Sequence, residues 1–181
     1  MKICIFCGAN SSLDPAVELK AKQVMTFFGQ NNIELVYGGA AIGVMGTLAT
    51  DLMVQGGRVT GIIPQHLMTK EVAHGGLTEL VVTKDMHERK QLMYKLSDAF
   101  LIFPGGMGTL DELFEIVTWR QLGLHGKPIA IMNINGYYDS LLNFLDHAVA
   151  QGLVKQKDRN IIFSSPKWED IWTHFSGFKK V

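Results

Sequence analysis

The sequence predicts an α/β protein, a single domain over residues 1–181 built on a Rossmann-like, doubly wound parallel sheet of about seven strands. Strand-like and helix-like segments alternate along the whole chain, and the strands read as near-continuous apolar runs, the pattern of a parallel sheet covered on both faces. Turns rich in small residues also follow several strands, at the edge where open parallel sheets bind ligands.

Short apolar runs bounded by turn residues place strands at Lys2 to Phe6, Glu34 to Tyr37, Arg58 to Ile63, Leu77 to Thr83, Ala99 to Phe103, Pro128 to Met132 and Asn160 to Phe163. Helical spacing places helices at Ala16 to Gly29, Val44 to Gln55, Met86 to Leu96, Thr109 to Leu124, Tyr138 to Gln151 and Trp168 to Phe175. No repeat or Pro/Ser-rich linker divides the chain, and the polar tail Ser176 to Val181 is expected to be mobile.

The most informative segment is Phe103 to Glu112, F-P-G-G-M-G-T-L-D-E, which follows the run Ala99-Phe100-Leu101-Ile102. It reads as a buried strand feeding a glycine turn that opens a helix. Gly105, Gly106 and Gly108 are expected to adopt backbone angles closed to other residues and to leave no Cβ between the main chain and a ligand. The helix that follows points its unpaired N–H groups and positive dipole end at the same space, where a phosphate binds without any lysine. Glu112, expected in the first helical turn, adds a carboxylate within reach of whatever the phosphate holds. The same residues also fit a capping box, Thr109 to Glu112. On local sequence the two readings stand level, and the glycines tilt the balance, since a capping box needs none.

Composition narrows the partners. Formal charge is balanced, 17 basic against 17 acidic residues, so there is no basic field for nucleic acid or an acidic membrane surface. No apolar run approaches a membrane span, and the chain enters a strand at once rather than a signal peptide, which points to the cytoplasm. Cys4 and Cys7 have redox C-x-x-C spacing, but side chains three apart in a strand face opposite ways, so neither a disulfide nor a zinc site is expected. The histidines are scattered, and His87-Glu88 lacks the second histidine of a zinc helix, because position 91 is Gln. No metal is expected.

Three turns fall on the ligand-binding edge: Cys7 to Ser12, Tyr37 to Gly46, and Pro104 to Thr109. Gly8, Gly38, Gly39, Gly43 and Gly105 are therefore candidates for a phosphate or nucleotide pocket. None of the turns is a dinucleotide fingerprint or a P-loop, which favours a monophosphate over a triphosphate or NAD. Between Lys84 and Lys90 the chain is charged. Lys90 and Glu88 read as a solvated face, whereas Arg89 has two options, solvent or an inward turn to pair with Glu112 or a ligand; spacing leaves both open.

Pro104 to Glu112, together with Met86-His87-Glu88-Arg89-Lys90, closely resembles the paired motifs P-G-G-x-G-T-x-x-E and M-H-x-R-K of the LONELY GUY (LOG) family. The resemblance extends over nearly the whole chain, through Cys4 to Gly8, Gly38-Gly39, Gly43 to Gly46, Thr118-Trp119, Gln121 to Gly123 and Asn135 to Tyr138. Ala40 and Ala41, in place of the more usual Gly and Ser, and the stretch Ala73 to Thr78 depart from the pattern and bear on base preference. The resemblance implies hydrolysis of the N-glycosidic bond of AMP or of N6-modified adenosine 5'-monophosphates, with Arg89 and Glu112 as the catalytic pair. It implies phosphate and ribose contacts from Gly106, Met107, Gly108 and Thr109, and further substrate contacts from Glu71, Lys90, Leu110, Asp111 and Thr118. It implies no cofactor. A non-catalytic nucleotide-binding or carrier module is the alternative; lysine decarboxylation has no lysine in a recognisable Schiff-base context.

The helix expected from Thr109 to Leu124 carries one apolar face at Leu110, Leu113, Phe114 and Val117, spaced to cover the sheet, and a second at Ile116 and Trp119. The second face implies either an interface or a neighbouring helix of the same chain. The resemblance favours a homodimer with the site near the subunit boundary.

Overall fold

The computed structural model describes residues 1–10, 14–68 and 73–178. Seven strands form one parallel sheet: β1 (Lys2–Phe6), β2 (Glu34–Tyr37), β3 (Val59–Pro64), β4 (Glu79–Thr83), β5 (Ala99–Ile102), β6 (Ile129–Met132) and β7 (Ile162–Ser165). Their spatial order is β4-β3-β2-β1-β5-β6-β7. The helices are α1 (Pro15–Gln30), α2 (Gly43–Val54), α3 (Met86–Leu96), α4 (Met107–Gln121), α5 (Asp139–Ala150), α6 (Gln156–Arg159) and α7 (Trp168–Ser176).

The chain starts at the centre of the sheet, winds outward to β4, then returns to lay β5 on the other side of β1, pairing Ile3 with Ala99 and Phe6 with Ile102. That reversal is a topological switch point, and it leaves a crevice beyond the carboxyl ends of β1 and β5. Side chains alternate across the sheet. Ile3, Ile5, Leu35, Tyr37 and Leu101 face a core shared with Phe28 of α1, Leu48 of α2 and Ile171 of α7. Cys4, Phe6, Phe100 and Ile102 face the opposite core, closed by Met93 of α3, Leu113 and Ile116 of α4, and Leu145 of α5. Cys7 falls on the first face and Cys4 on the second, both as buried free thiols, pushed up from the ordinary thiol range by burial and then by the Glu112 charge.

Two expectations about α4 are corrected. The helix begins at Met107, two residues before Thr109, because Gly106 is its N-cap. The side buried deepest carries Thr109, Glu112, Leu113 and Ile116, at helical spacing. Ile116 thus belongs to the core of a single chain, and Trp119 packs edge-on against Tyr94 at 5.2 Å between centroids. Leu110, Phe114 and Val117, expected beneath the sheet, are only partly buried along its flank. Turning the carboxylate of Glu112 inward rotates the stripe. β7 lies two residues later than expected because the unexpected α6 occupies Gln156–Arg159. The tail expected from Ser176 begins inside α7, and its described part ends at Phe178, whose ring sits 5.1 Å from the Arg120 guanidinium. Among the described residues no helix is long and apolar enough to cross a membrane.

At the opposite end of the sheet His125 ties α4 to the approach of β6. The Lys127 backbone N–H donates to its Nδ1 (3.1 Å), so Nε2 carries the proton and donates to the Ile116 carbonyl (2.9 Å). Burial holds its pKa below the ordinary value, and it does the same to His174, stacked 4.4 Å from the Phe163 ring. Both rings resist protonation in the fold and protonate more readily once unfolded, at about pH 6.5. Their contribution is therefore present above that pH and lost as pH falls below it. Melting temperature is expected to drop from about pH 7 to about pH 5 more steeply in the wild type than in a His125→Gln, His174→Phe double variant. Equal slopes in circular-dichroism melts would exclude these histidines as the cause.

Candidate active site

A cleft of about 490 Å³ opens at the switch point, floored by the end of β1 and walled by the β5–α4 turn, α2 and α3. Gly8, Gly38 and Gly105 line it, as do Gly106, Met107, Gly108, Thr109, Asp111, Glu112 and Arg89.

The glycines of the turn work differently from expectation. None of Gly105, Gly106 and Gly108 has a positive φ. What they supply is space. A Cβ on Gly105 would overlap the Thr109 side chain and approach the Gly8 amide nitrogen to 2.9 Å, whereas Cβ atoms on Gly106 or Gly108 would meet no protein atom within 4 Å. The open side is the cleft and the N-terminus of α4, whose first N–H groups lack intrahelical acceptors. The capping-box reading fails, since Gly106 caps without a side chain and Glu112 is the sixth helical residue, in the second turn. Positive φ is needed instead in the second turn of the site edge, at Gly39 (+80°) and Gly43 (+59°), where a Cβ on Gly43 would overlap the Ala9 carbonyl. Those two shape the loop without lining the cleft.

Arg89 reaches the cleft from α3. That helix is capped by Asp85, which accepts from the Glu88 N–H (2.9 Å), while the Glu88 carboxylate accepts from the Lys84 N–H (2.9 Å). The backbone hydrogen bond from Glu88 holds the Asp85 carboxyl below its usual range. Arg89 then turns inward, the option that spacing left open. Its Nε donates to the Ile62 carbonyl (3.1 Å) on β3 and its Nη2 to the Gly38 carbonyl (3.2 Å) after β2. Its Nη1 stands 4.0 Å from Glu112 Oε1. Arg89 and Glu112 are 6% and 9% exposed, which makes this a buried charge pair at the bottom of an open cleft. Its separation exceeds a direct hydrogen bond.

The other sequence candidates separate. Lys90 lies outside the lining; its ammonium spans α3 and α4, 3.0 Å from Glu115 and 3.2 Å from Asp111. Burial opposes its charge, but the hydrogen bonds to Glu115 and Asp111 outweigh that and raise its pKa. Leu110 packs on the core below α4, and Thr118 is exposed further along the helix. Glu71 lies outside the described residues. Sequence reasoning assigned no role to Asn10, Met45, Met93 or Tyr137, all of which line the cleft. Met45 and Tyr137 sit in stretches that carried the family resemblance, the signal by which they were accessible. Among the described residues no cluster of three His, Cys, Asp or Glu is placed to hold a metal.

A Cβ on Gly38 would overlap Arg89 Nη2 and come within 2.9 Å of Met45 Sδ. Gly38→Ala is accordingly expected to destabilise by about 1–3 kcal/mol, lowering the melting temperature by roughly 2–12 °C. Gly106→Ala and Gly108→Ala, with open space around them, are expected to melt within about 2 °C of wild type. Thermal unfolding of the three variants checks this ordering, and a Gly38→Ala protein as stable as the other two would contradict the position assigned to Arg89.

A family model described as possible lysine decarboxylase matches residues 45–175. A cytokinin riboside 5'-monophosphate phosphoribohydrolase of Arabidopsis thaliana is 42% identical over 170 residues, covering 94% of this chain and 80% of that protein. A probable enzyme of the same description from Oryza sativa subsp. japonica is 43% identical, covering 94% and 76%. Among solved structures, the molybdenum cofactor binding protein of Rippkaea orientalis superposes with a TM-score of 0.71 at 19% identity, over 97% of this chain and 95% of that one. The Moco carrier protein of Chlamydomonas reinhardtii gives 0.71 at 13%, over 98% of each. The solved structures share the fold, and the sequence relatives decide the family: the chain belongs to the LONELY GUY family of cytokinin riboside 5'-monophosphate phosphoribohydrolases.

Proposed function

We propose that this protein hydrolyses the N-glycosidic bond of N6-modified (cytokinin) adenosine 5'-monophosphates, and of AMP, to give free base and ribose 5-phosphate. The observation that carries this reading is the buried Arg89–Glu112 pair, 4.0 Å apart, in the same cleft as an open glycine turn at a helix N-terminus. The 5'-phosphate is held by the N–H groups of Gly106 to Thr109 and the positive end of α4. This remote grip seats the ribose against Glu112. As the bond from C1' to the base nitrogen breaks, its electron pair leaves with the base, and positive charge develops on the sugar. The Glu112 carboxylate stabilises that charge and takes a proton from the water whose oxygen bonds to C1'; the departing base takes one proton from solvent, and Glu112 returns one to solvent to restore its carboxylate. Arg89, fixed by two backbone carbonyls, sets the position of Glu112 and presents Nη1 to the departing base.

The family model's description as a possible decarboxylase finds no support in the cleft. No described residue lining it is a lysine, and the Lys90 ammonium is tied to Glu115 and Asp111 with a raised pKa, the opposite of an amine poised for Schiff-base chemistry.

The same reading extends to a homodimer that acts in the cytoplasm. Leu110, Phe114 and Val117 form a partly uncovered apolar strip on α4, and Phe144 of α5 is 62% exposed, surfaces of the kind a second copy covers. Sedimentation equilibrium at micromolar concentration is expected to give twice the monomer mass, and a fully active monomer would rule the dimer out.

Glu112→Gln is expected to keep the fold while slowing release of free base from the monophosphate by about 10²–10⁴-fold, or roughly 3–5 kcal/mol of barrier. Adenosine and its N6-modified ribosides are expected to be far poorer substrates than their monophosphates. Chromatographic quantitation of free base tests both. Intact return of the monophosphate by the wild type would mean a carrier, and near-wild-type turnover by Glu112→Gln would leave that residue structural.

A further inference from the structure

The segment Asn135-Gly136-Tyr137-Tyr138, between β6 and α5, is a cross-link built across the binding edge of the sheet. Asn135 takes a left-handed conformation (φ 48°), uncommon for a residue with a side chain, and its amide donates to Asp14 Oδ2 at 2.8 Å. Asp14 is itself the N-cap of α1, accepting from the Ala16 N–H at 2.9 Å. Asn133 closes the other side, its side-chain Oδ1 accepting from the Tyr138 N–H (2.8 Å) and its Nδ2 donating to Asp139 Oδ1 (2.7 Å). The segment is thus tied at both ends, and the two tyrosines it carries stand edge to face, 4.9 Å apart at 85°.

Both phenols end on the glycine turn. Three successive carbonyls of that turn each accept a hydrogen bond from a different donor: Phe103 from the Tyr138 hydroxyl (2.8 Å), Pro104 from the Gly8 N–H (3.1 Å) and Gly105 from the Tyr137 hydroxyl (2.9 Å). Gly105 and Gly106 have no side chains with which to pack, and a Cβ on Gly106 would meet nothing within 4 Å, so the turn is held through its backbone. Carbonyl and N–H of one peptide unit share a plane. A hydroxyl that fixes the Gly105 carbonyl therefore fixes the direction of the Gly106 N–H, the donor at the N-cap of α4. The two tyrosines differ in setting. Tyr138 is 3% exposed and part of the core, whereas Tyr137 is 56% exposed and lines the cleft.

We infer that Tyr137 is a positioning residue for the phosphate grip: its hydroxyl orients the Gly105–Gly106 peptide so that the α4 N-terminus presents a preformed set of donors to the 5'-phosphate. The inference rests on the reading that the glycine turn holds phosphate, and it is independent of whether the bound nucleotide is cleaved.

Tyr137→Phe removes one hydroxyl from a half-exposed side chain. Loss of one hydrogen bond's worth of preorganisation is expected to weaken inorganic phosphate binding, measured by calorimetry on the intact protein, by about 5-fold. The efficiency ratio of monophosphate over riboside is expected to narrow by the same factor. Tyr138→Phe is the structural comparison, expected to lower the melting temperature more than Tyr137→Phe does and phosphate affinity less. Unchanged phosphate affinity in Tyr137→Phe, or equal losses in the two variants, would overturn the assignment, as would a wild type that binds no phosphate. A wild type that binds phosphate through Tyr137 but releases no free base would sink the hydrolase reading and leave this one standing.

Discussion

The structure depends on how Arg89 is buried. A guanidinium taken out of water is tolerated only when its donors are satisfied, and here the carbonyls of Ile62 and Gly38, both just past the last β2–β3 pair (Tyr37 with Gly61), take Nε and Nη2. In a parallel sheet such carbonyls emerge together on one edge, so the fold itself supplies the acceptors. The requirement then spreads outward. Position 38 must lack a Cβ, α3 must start where Asp85 caps it, and Glu112 must turn inward on α4 to face Nη1. The inward carboxylate rotates the buried stripe of α4, displaces Leu110, Phe114 and Val117 toward the flank, and raises the thiols of Cys4 and Cys7 along with burial. One buried charge pair thus accounts for features on two strands and two helices.

The anion site proposed at the start of α4 complements that pair and would be made almost wholly of backbone. With a balanced net charge there is no long-range field to gather a phosphate, and the nearest lysine of the motif, Lys90, joins α3 to α4 through Asp111 and Glu115. This cross-link lies one residue along from Arg89 and from Glu112 on their respective helices, so it sets the spacing of the elements that carry the pair. On that proposal recognition falls to oriented N–H groups, whose orientation is only as good as the restraints on glycines that cannot pack. The three capped carbonyls of Phe103, Pro104 and Gly105 meet that need.

The fold was legible in the sequence because strands buried on both faces must be apolar throughout, and runs such as Ala99 to Ile102 admit few other readings. Of the seven strands, β1 and β2 lie where expected to the residue, as does α3, whose start is marked by an Asp85–Glu88 cap. Errors gathered where local signals compete. Thr109 and Glu112 spell a capping box, and nothing local reveals that Gly106 already caps the helix two residues earlier. A carboxylate reads as polar, so the sequence pattern groups Leu113 with the more apolar Leu110, Phe114 and Val117, whereas in the fold Leu113 shares its buried side with Thr109, Glu112 and Ile116. α6, a single turn, is too short to leave a period. Within the site, the pairing of Arg89 with Glu112 needs the helices that precede and follow β5 in the chain to meet on one face of the sheet, which residue types can only permit. The destination of Lys90 and the cleft positions of Met45 and Tyr137 are likewise products of packing.

Proteins of the same architecture at 13–19% identity are described as carriers or binders of the molybdenum cofactor, so the fold alone does not choose between holding a ligand and cleaving one. On the proposed reading, the charge at Glu112 discriminates. A carboxylate buried in the same cleft as a phosphate site repels the anion in the ground state, which a module selected only for binding would do better without. The repulsion becomes useful when the ligand develops positive charge between the two, as a ribose does when its glycosidic bond breaks. An interaction unfavourable to the bound substrate and favourable to its transition state lowers the barrier rather than the dissociation constant. In the proposed site the α4 N-terminus offsets the repulsion by holding the phosphate in place, which would make an acid at the sixth residue of the helix and open glycines at its start one device.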